Sequence, residues 1–373
     1  MREGRRRFAR RGRATGGTNA PLGAAVAALL RHAWRESPGA PDARAGALEI
    51  DLRRCEPLLL GTGCGALVWR RLAGTDAARL DAARPYRDAH RFTAARDGAE
   101  RLAIAAVVGA LREIGVEPLL VKGWSTARHY PAAGLRPVGD LDLVVARAEH
   151  ARVERHLLER RRASGVLALA RVDLHEAILD LADRPLDELR SRSSSASLGD
   201  PAETSLRVLG AEDHLRLLAM HLLRHGAWRP LWLCDVALLV EKLGGALDWD
   251  LCLRGSREGA RRVGIVLGLA HALLGAELPD ALPRPAASAA RSVPRWLVDA
   301  TRRQWGRRYE RYSDAPILTA GVRPARLLAA AGRRWPNPIE ATVGVGAPFN
   351  GVPRLPFQIA DVVRRTASAM LRA

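Results

Sequence analysis

The chain contains 373 residues, and its 59 basic against 40 acidic side chains give a formal net charge of +19. Almost all of the basic residues are arginines, since lysine occurs only as Lys122 and Lys242. The four cysteines lack metal-type spacing, and no apolar run approaches the ~20 residues that a membrane-spanning helix needs. These features argue against a transmembrane protein and a cysteine-based zinc domain. They predict a cytoplasmic protein of roughly two or three structural units.

The first third of the chain is predicted to be largely helical after a short basic tail. Residues 1–18 are rich in arginine, glycine and threonine, a composition typical of a disordered segment. Residues 19–100 are predicted to form an N-terminal helical region, in which a glycine-rich loop at 61–65 separates two helical segments. A long helix is expected over 87–114, directly before the segment that carries the chemistry.

Residues 118–145 contain the most informative pattern in the chain. An apolar strand, a glycine turn and a short helix precede a second apolar strand, which Asp140-Leu-Asp142 opens. Successive side chains of a strand point to opposite faces, so Asp140 and Asp142 project on one side while Leu141 and Leu143 point into the core. Two neighbouring carboxylates repel each other unless a cation lies between them, and Mg²⁺ uses such oxygen ligands together with substrate phosphates. The pattern therefore predicts a magnesium site.

The turn between the two strands predicts a phosphate contact beside that metal site. Gly123 would let the backbone around Trp124 and Ser125, with the helix dipole, face an anion. Lys122 could act as a point charge on a triphosphate or simply cap the strand end. Arg136 could neutralise phosphate charge bidentately or be a turn arginine in water.

These motifs together resemble the bacterial "uncharacterised nucleotidyltransferase" family of the DNA polymerase β-like nucleotidyltransferase superfamily. The resemblance covers roughly Leu102 to Leu274 and implies a mixed sheet with helices on one side, transfer of a nucleotidyl group from a nucleoside triphosphate, and two Mg²⁺ ions bound by three carboxylates. The matching segments are Leu119-Leu-Val-Lys-Gly, Tyr130-Pro, Leu135-Arg-Pro-Val-Gly-Asp-Leu-Asp-Leu-Val, Val172-Asp-Leu-His and His221-x3-His225.

A third strand supplies the candidate for the third carboxylate. The alternation around Val172-Asp-Leu-His places Arg171, Asp173 and His175 on one face. In the family that the chain resembles, the third acid lies on such a strand and is followed by Leu-His, so Asp173 is the matching position. The resemblance implies that Asp173 completes the metal site and accepts the proton of the attacking hydroxyl. From the residues alone, a solvent-facing strand aspartate is the alternative. The family's usual aromatic-basic pair after the histidine is replaced here by Glu176-Ala177.

The second half of the chain is predicted to be helical beyond a linker. Residues 191–203 are serine-rich and predict a flexible linker. Residues 204–300 are predicted to form a helical domain, and 301–373 an arginine- and proline-rich region that ends in an amphipathic helix.

A second group of polar residues lies in that helical domain. His221 and His225 are four residues apart and share a helix face, and Asp235 follows on the next helix. Three interpretations remain open for this set: a buried hydrogen-bonded network, contacts to nucleotide or acceptor across a cleft, and a metal site. For His175 we expect a cleft-lining or structural role.

The predicted fold is therefore α/β (α+β), with a polymerase-β-like palm over 101–190 flanked by N-terminal helices and a C-terminal helical domain. The predicted activity is transfer of a nucleoside monophosphate from a triphosphate, ATP first, to an unidentified hydroxyl acceptor that could be a small molecule, peptide, protein or RNA. The expected cofactor is Mg²⁺ in a two-ion site, with Mn²⁺ as a substitute. A non-catalytic RNA- or polyanion-binding protein, and a peripheral membrane protein using the basic terminal helix, are the alternatives.

Overall fold

A computed structural model describes residues 19–41, 45–200, 202, 204–307 and 335–370. The predicted basic tail over 1–18 lies outside the described residues, and so does most of the arginine- and proline-rich part of 301–373. The terminal amphipathic helix lies within them. The helices, in chain order, are α1 (Asn19–Leu30), α2 (Ala45–Gly61), α3 (Gly65–Leu72), α4 (Arg84–Glu113), α5 (Gly123–Ala127), α6 (Arg147–Ala163), α7 (Gly165–Leu169), α8 (Leu186–Ser191), α9 (Ala211–Arg224), α10 (Pro230–Leu243), α11 (Trp249–Leu253), α12 (Arg257–Leu274), α13 (Arg284–Arg291), α14 (Arg295–Trp305), α15 (Pro338–Gly344) and α16 (Leu355–Met370). Short 3-10 helices lie at Asp76–Arg79, Asp81–Ala83 and Leu179–Leu181.

A mixed five-stranded sheet forms the centre of the palm. The resemblance implied a mixed sheet with helices on one side, and the sheet is mixed, but helices cover both of its faces. The strands are β1 (Leu119–Val121), β2 (Leu141–Val144), β3 (Val172–His175), β4 (Ser194–Ser197) and β5 (Ser205–Val208). Their spatial order is β3-β2-β1-β5-β4. The β2–β3 and β1–β5 pairs are parallel, whereas the β1–β2 and β4–β5 pairs are antiparallel.

Side-chain alternation gives the sheet two faces with different coverings. On one face Leu120, Leu141 and Leu143 pack with the buried stripe of α4, which includes Val107 and Leu111. On the other face Leu119, Val121 and Val144 pack with Leu217 of α9 and with Leu181 and Leu189. Because Asp142 follows Leu141 in the alternation, its carboxylate lies on the α9 face of the sheet. The expected inward orientation of Leu141 and Leu143 is confirmed.

The helices before and after the palm share one hydrophobic core. Leu30 and Leu67 from the N-terminal helices belong to the same buried cluster as Leu231 of α10. The sequence predicts separate helical regions over 19–100 and 204–300, because apolar spacing identifies a helix without identifying its partner. The structure packs both regions together.

The serine-rich segment differs from its prediction. Instead of a flexible linker over 191–203 followed directly by helices, residues 194–197 form the edge strand β4 and residues 205–208 form β5. Three serines of β4 are exposed, and Ala196 alone points into the core. The serine composition predicts a linker. The backbone hydrogen bonds between β4 and β5 instead stabilise a strand here and outweigh the sequence preference for a linker. The sheet therefore extends beyond residue 190.

Two general expectations can be compared with the described residues. The thiols of Cys55, Cys64, Cys234 and Cys252 are buried and form no disulfide. Among the described helices, none combines the length and the apolar character needed to cross a bilayer.

Candidate active site

The turn from β1 into α5 has the unusual backbone that its sequence predicts. Lys122 and Gly123 have φ angles of 54° and 42°, in the left-handed region that favours glycine. A Cβ at position 123 would lie 3.3 Å from the carbonyl oxygen of Asp140, so glycine also lets the turn approach the β2 entry. The Trp124 side chain is buried in the core on the α4 face. The Ser125 side chain is also buried, and its Oγ has no hydrogen-bond partner among the described residues. Neither side chain is therefore placed to contact a ligand from solvent.

Two acids and a histidine converge at the β2–β3 pair. The parallel register places Asp142 beside Asp173 and Val144 beside His175, so the three polar side chains share the α9 face. His175 Nε2 lies 3.1 Å from Asp142 Oδ1 and 3.3 Å from Asp173 Oδ2. One ligand atom from each of Asp142, Asp173 and His175 lies within 4.8 Å of the others. We refer to these three residues as the Asp-Asp-His cluster.

A lysine lies on the same carboxylate. Lys122 Nζ is 2.7 Å from Asp142 Oδ1, and both side chains are mostly buried. Burial opposes ionisation of Asp142, but the hydrogen bond from His175 and the charge of Lys122 outweigh it and hold the pKa of this carboxyl below its usual value. The Lys122 ammonium thus contacts the acid that would bind a metal. Neither sequence interpretation, a charge on the triphosphate or a cap of the strand end, includes this contact.

Asp140 lies just outside the Asp-Asp-His cluster. It precedes β2, and its side chain is 52 % exposed. Its Oδ1 forms an ion pair with Arg171 Nε at 3.1 Å. Arg171 is itself largely solvated, so this pair is weak and can open at little cost. The sequence grouped Asp140, Asp142 and Asp173, whereas the structure brings together Asp142 and Asp173 and adds His175.

Arg136 does not occupy the predicted phosphate position. Its guanidinium makes a bidentate pair with Asp235 at 2.9–3.2 Å, and both side chains are nearly inaccessible. The Tyr130 hydroxyl donates to the same carboxylate at 2.9 Å. Burial lowers the pKa of Arg136, but the charge of Asp235 and the hydrogen bonds to it have the larger, opposite effect. The pKa is raised overall, so the guanidinium stays charged. The interpretation of Arg136 as a turn arginine in water is wrong, because its side chain is buried against Asp235, 99 residues away on α10, and this pair engages the guanidinium that a phosphate contact would need.

The histidine pair faces a different acid from the predicted one. His221 Nδ1 lies 3.2 Å from Asp180 Oδ2, and Arg224 binds both oxygens of the same carboxylate. These hydrogen bonds overcome burial and lower the pKa of Asp180 to about 2. Asp235 belongs instead to the Arg136 pair. Sequence reasoning missed Asp180, and no local pattern identifies it, because its partners His221 and Arg224 lie 41 and 44 residues away in the chain.

The donor set of the Asp-Asp-His cluster suits a divalent cation. Carboxylate oxygens are ligands for Mg²⁺ and Mn²⁺, and an imidazole nitrogen is accepted more readily by Mn²⁺ than by Mg²⁺. Asp142 is mostly buried while Asp173 is 59 % exposed, so the cluster opens to solvent on one side. The residues present therefore fit a metal held at the edge of the sheet, with Asp140 next to it.

A separate cavity lies on the opposite face of the sheet. Its volume is about 260 Å³, and α4 contributes Arg96 and Glu100 to its lining. Leu141 and Arg171 form part of the other wall. Because Arg171 also pairs with Asp140, the cavity borders the entry to β2, on the side of the sheet away from the Asp142 side chain.

The mixed sheet, the glycine turn and the acids on the adjacent strands β2 and β3 are consistent with a nucleotidyltransferase palm. The sequence profile of the uncharacterised nucleotidyltransferase family matches residues 62–275, and the chain belongs to this family. The match begins earlier than the motifs alone indicate, since it also takes in α3 and the start of α4. Neither the curated proteins nor the solved structures give a significant match. Family membership supports a general role in nucleotidyl transfer and a nucleotide substrate.

Proposed function

We propose that the chain transfers a nucleoside monophosphate from a nucleoside triphosphate, with ATP as the first candidate, to a hydroxyl acceptor. The observation that carries this proposal is the convergence of Asp142, Asp173 and His175 beside the Lys122–Gly123 turn. A protein that only bound polyanions would gain nothing from acids clustered on its basic surface. The same cluster suits a metal–triphosphate complex, in which cation and phosphate balance each other.

Asp142 and Asp173 would hold Mg²⁺ or Mn²⁺, and Asp140 would join them when it leaves Arg171. Arg171 is well placed to release it, because that pair is exposed. A divalent ion at this position supplies stabilisation of the charge on the transferring phosphoryl group. Lys122 would move from Asp142 to the triphosphate, where its ammonium would balance phosphate charge. The turn at Gly123 would hold the same phosphates through its backbone.

The reaction is a single displacement at phosphorus. The acceptor oxygen forms a bond to the α-phosphorus, and the bond from that phosphorus to the bridging oxygen breaks. Pyrophosphate leaves with the bonding electrons, and the hydroxyl proton passes to Asp173, the most exposed acid of the cluster.

Two labelled substrates test this proposal. Full-length protein is incubated with Mg²⁺ and cell extract, once with ATP labelled in the α-phosphate and once with ATP labelled in the γ-phosphate. Transfer of the α label together with release of labelled pyrophosphate is the expected result, and the Asp142→Asn protein serves as the control. Transfer of the γ label would instead indicate a kinase. Salt-sensitive RNA binding without any nucleotide dependence would favour the polyanion-binding alternative.

A further inference from the structure

Four aromatic side chains from α9, α10 and the turn between them form a contiguous group. Ring centroids lie 4.4 Å apart for His221 and His225, and 4.7 Å apart for His221 and Trp232. Trp232 also lies 5.4 Å from His225 and 5.4 Å from Trp228. We call His221, His225, Trp228 and Trp232 the aromatic cluster. His225, Trp228 and Trp232 are partly exposed, so the cluster is a surface more than a core.

The aromatic cluster lies on the same face of the sheet as the proposed phosphate site, because Leu217, one helical turn before His221 on α9, packs with Leu119 and Val121 of β1. Burial lowers the pKa of His221, and the nearby charge of Lys122 lowers it further. Burial, the other histidine and Lys122 act likewise on His225, whose pKa falls to about 4. The charge of Lys122 therefore acts on both rings as well as on Asp142. The imidazoles are uncharged at neutral pH, and they present flat, neutral rings beside the cationic turn.

The cluster is also held in a fixed arrangement. Asp180 and Arg224 orient the His221 ring from one side. The turn after α9 places Ala227 at a φ of 55°, a strained angle for a residue with a side chain. Trp305 Nε1 donates to the Ala227 carbonyl oxygen at 2.9 Å, and Asn337 Nδ2 donates to the preceding carbonyl of Gly226 at 2.8 Å. These contacts hold the strained turn that carries Trp228 towards Trp232.

We propose that the aromatic cluster is the stacking surface for the nucleobase of the triphosphate. This inference rests on the proposed nucleotidyl transfer and adds where the base binds. Bases stack on aromatic side chains through their π faces, so such a surface accepts all four bases and favours the larger purines. The triphosphate at Lys122 and Gly123 and the partly exposed rings of the aromatic cluster lie on the same face of the sheet, so the rings offer the attached base an aromatic surface on that side. Trp232 is the central ring, since it contacts the other three.

Comparing two ligands separates base binding from phosphate binding. Titration calorimetry in Mg²⁺ measures the affinity of full-length protein for ATP and for inorganic tripolyphosphate, which has the phosphates and no base. The Trp232→Ala protein should bind ATP about tenfold more weakly and tripolyphosphate as tightly as the wild type. Trp232→Phe should retain most of the ATP affinity, because a flat ring remains. Wild-type affinity should fall from ATP to CTP.

Trp296→Ala is the matched control, because Trp296 is also partly buried but stacks on Phe349, in the loop between α15 and α16. It should leave the affinities for both ligands unchanged. Unchanged ATP affinity in Trp232→Ala would overturn the inference and leave the proposed function standing. If Trp232→Ala and Trp232→Phe both lose affinity for ATP and for tripolyphosphate equally, the ring has only a structural role and the inference is overturned. If the wild type binds neither ligand, the proposed function and the inference both fail.

Discussion

The ammonium nitrogen of Lys122 lies 2.7 Å from a carboxylate oxygen of Asp142, the acid at the centre of the candidate metal site. One cation therefore already contacts the oxygen that a second cation would need. Lys122 is also the residue whose backbone takes a left-handed φ before the phosphate turn, so its side chain can serve the carboxylate or a phosphate from one anchored position. A competition between lysine and metal follows from this geometry.

Lys122→Met should raise the affinity for Mn²⁺ in the absence of nucleotide by about fivefold, because a mostly buried ion pair of ~1 kcal/mol no longer competes. The same substitution should weaken ATP binding in Mg²⁺, since a positive charge on the triphosphate is lost. Electron paramagnetic resonance of free Mn²⁺ measures the first effect and calorimetry the second. Lys242→Met removes the other lysine of the chain, which donates to the carbonyl oxygen of His129, and should change neither value. Unaltered Mn²⁺ affinity in Lys122→Met would contradict the competition.

Asp140→Asn and Asp142→Asn should both reduce nucleotidyl transfer by several orders of magnitude, but they should differ in metal binding without nucleotide. Asp142→Asn should abolish Mn²⁺ binding, whereas Asp140→Asn should reduce it modestly, because Asp140 is paired with Arg171 outside the cluster. The measurements are transfer of α-labelled ATP and Mn²⁺ titration. Full transfer activity in either variant would remove that acid from the active site.

The same substitution of Asp142 should lower, and not raise, the stability of the metal-free protein. Sequence reasoning about two neighbouring carboxylates suggests repulsion, which neutralisation would relieve. The structure reverses this sign, because Lys122 and His175 hold the pKa of Asp142 below its usual value and so favour the charged form. Urea unfolding of wild type and Asp142→Asn at pH 7 compares the two free energies of unfolding.

Arg136→Met should lower the free energy of unfolding by about 3–5 kcal/mol, because it leaves the Asp235 carboxylate buried without its partner. The double variant Arg136→Met with Asp235→Leu should regain much of this loss, since no buried charge remains. Urea unfolding at neutral pH checks both values. An Arg136→Met protein with wild-type stability and weakened ATP binding would restore the phosphate role that the sequence suggested.

Asp180→Asn should destabilise the protein at pH 7 by about 2–3 kcal/mol, because the folded-state pKa of Asp180 is about 2 and the unfolded value is about 3.9. A depressed carboxyl pKa contributes stability that is fully present above the unfolded value and is lost as the pH falls through the folded value. The difference between wild type and variant should thus be constant above about pH 5 and shrink between pH 4 and pH 2. Unfolding free energies over this range measure it. The fully exposed Asp76 makes Asp76→Asn the control, which should follow the wild type at every pH.

Local sequence determined the parts of this protein that depend on neighbouring residues. Strand alternation in Leu-Asp-Leu and Val-Asp-Leu-His sent the leucines to the core and the polar side chains to one face, and the positions of β1, α5, β2 and β3 agree with that prediction. The glycine turn followed from the need for a left-handed backbone between β1 and α5. These features are set within a few residues by steric and solvation effects, so periodicity in the sequence reports them directly.

Tertiary structure alone decided which charges meet. Arg136 lies 99 residues from Asp235, and His221 lies 41 residues from Asp180, and no periodicity links such pairs. The serine-rich strand β4 likewise exists because β5 satisfies its backbone, and not because serine favours a strand. Ion pairs and ladders of this kind depend on how helices and strands pack after they form. The sequence therefore named the acids of the site, while packing determined that His175 and Lys122 join Asp142 and that Arg136 does not.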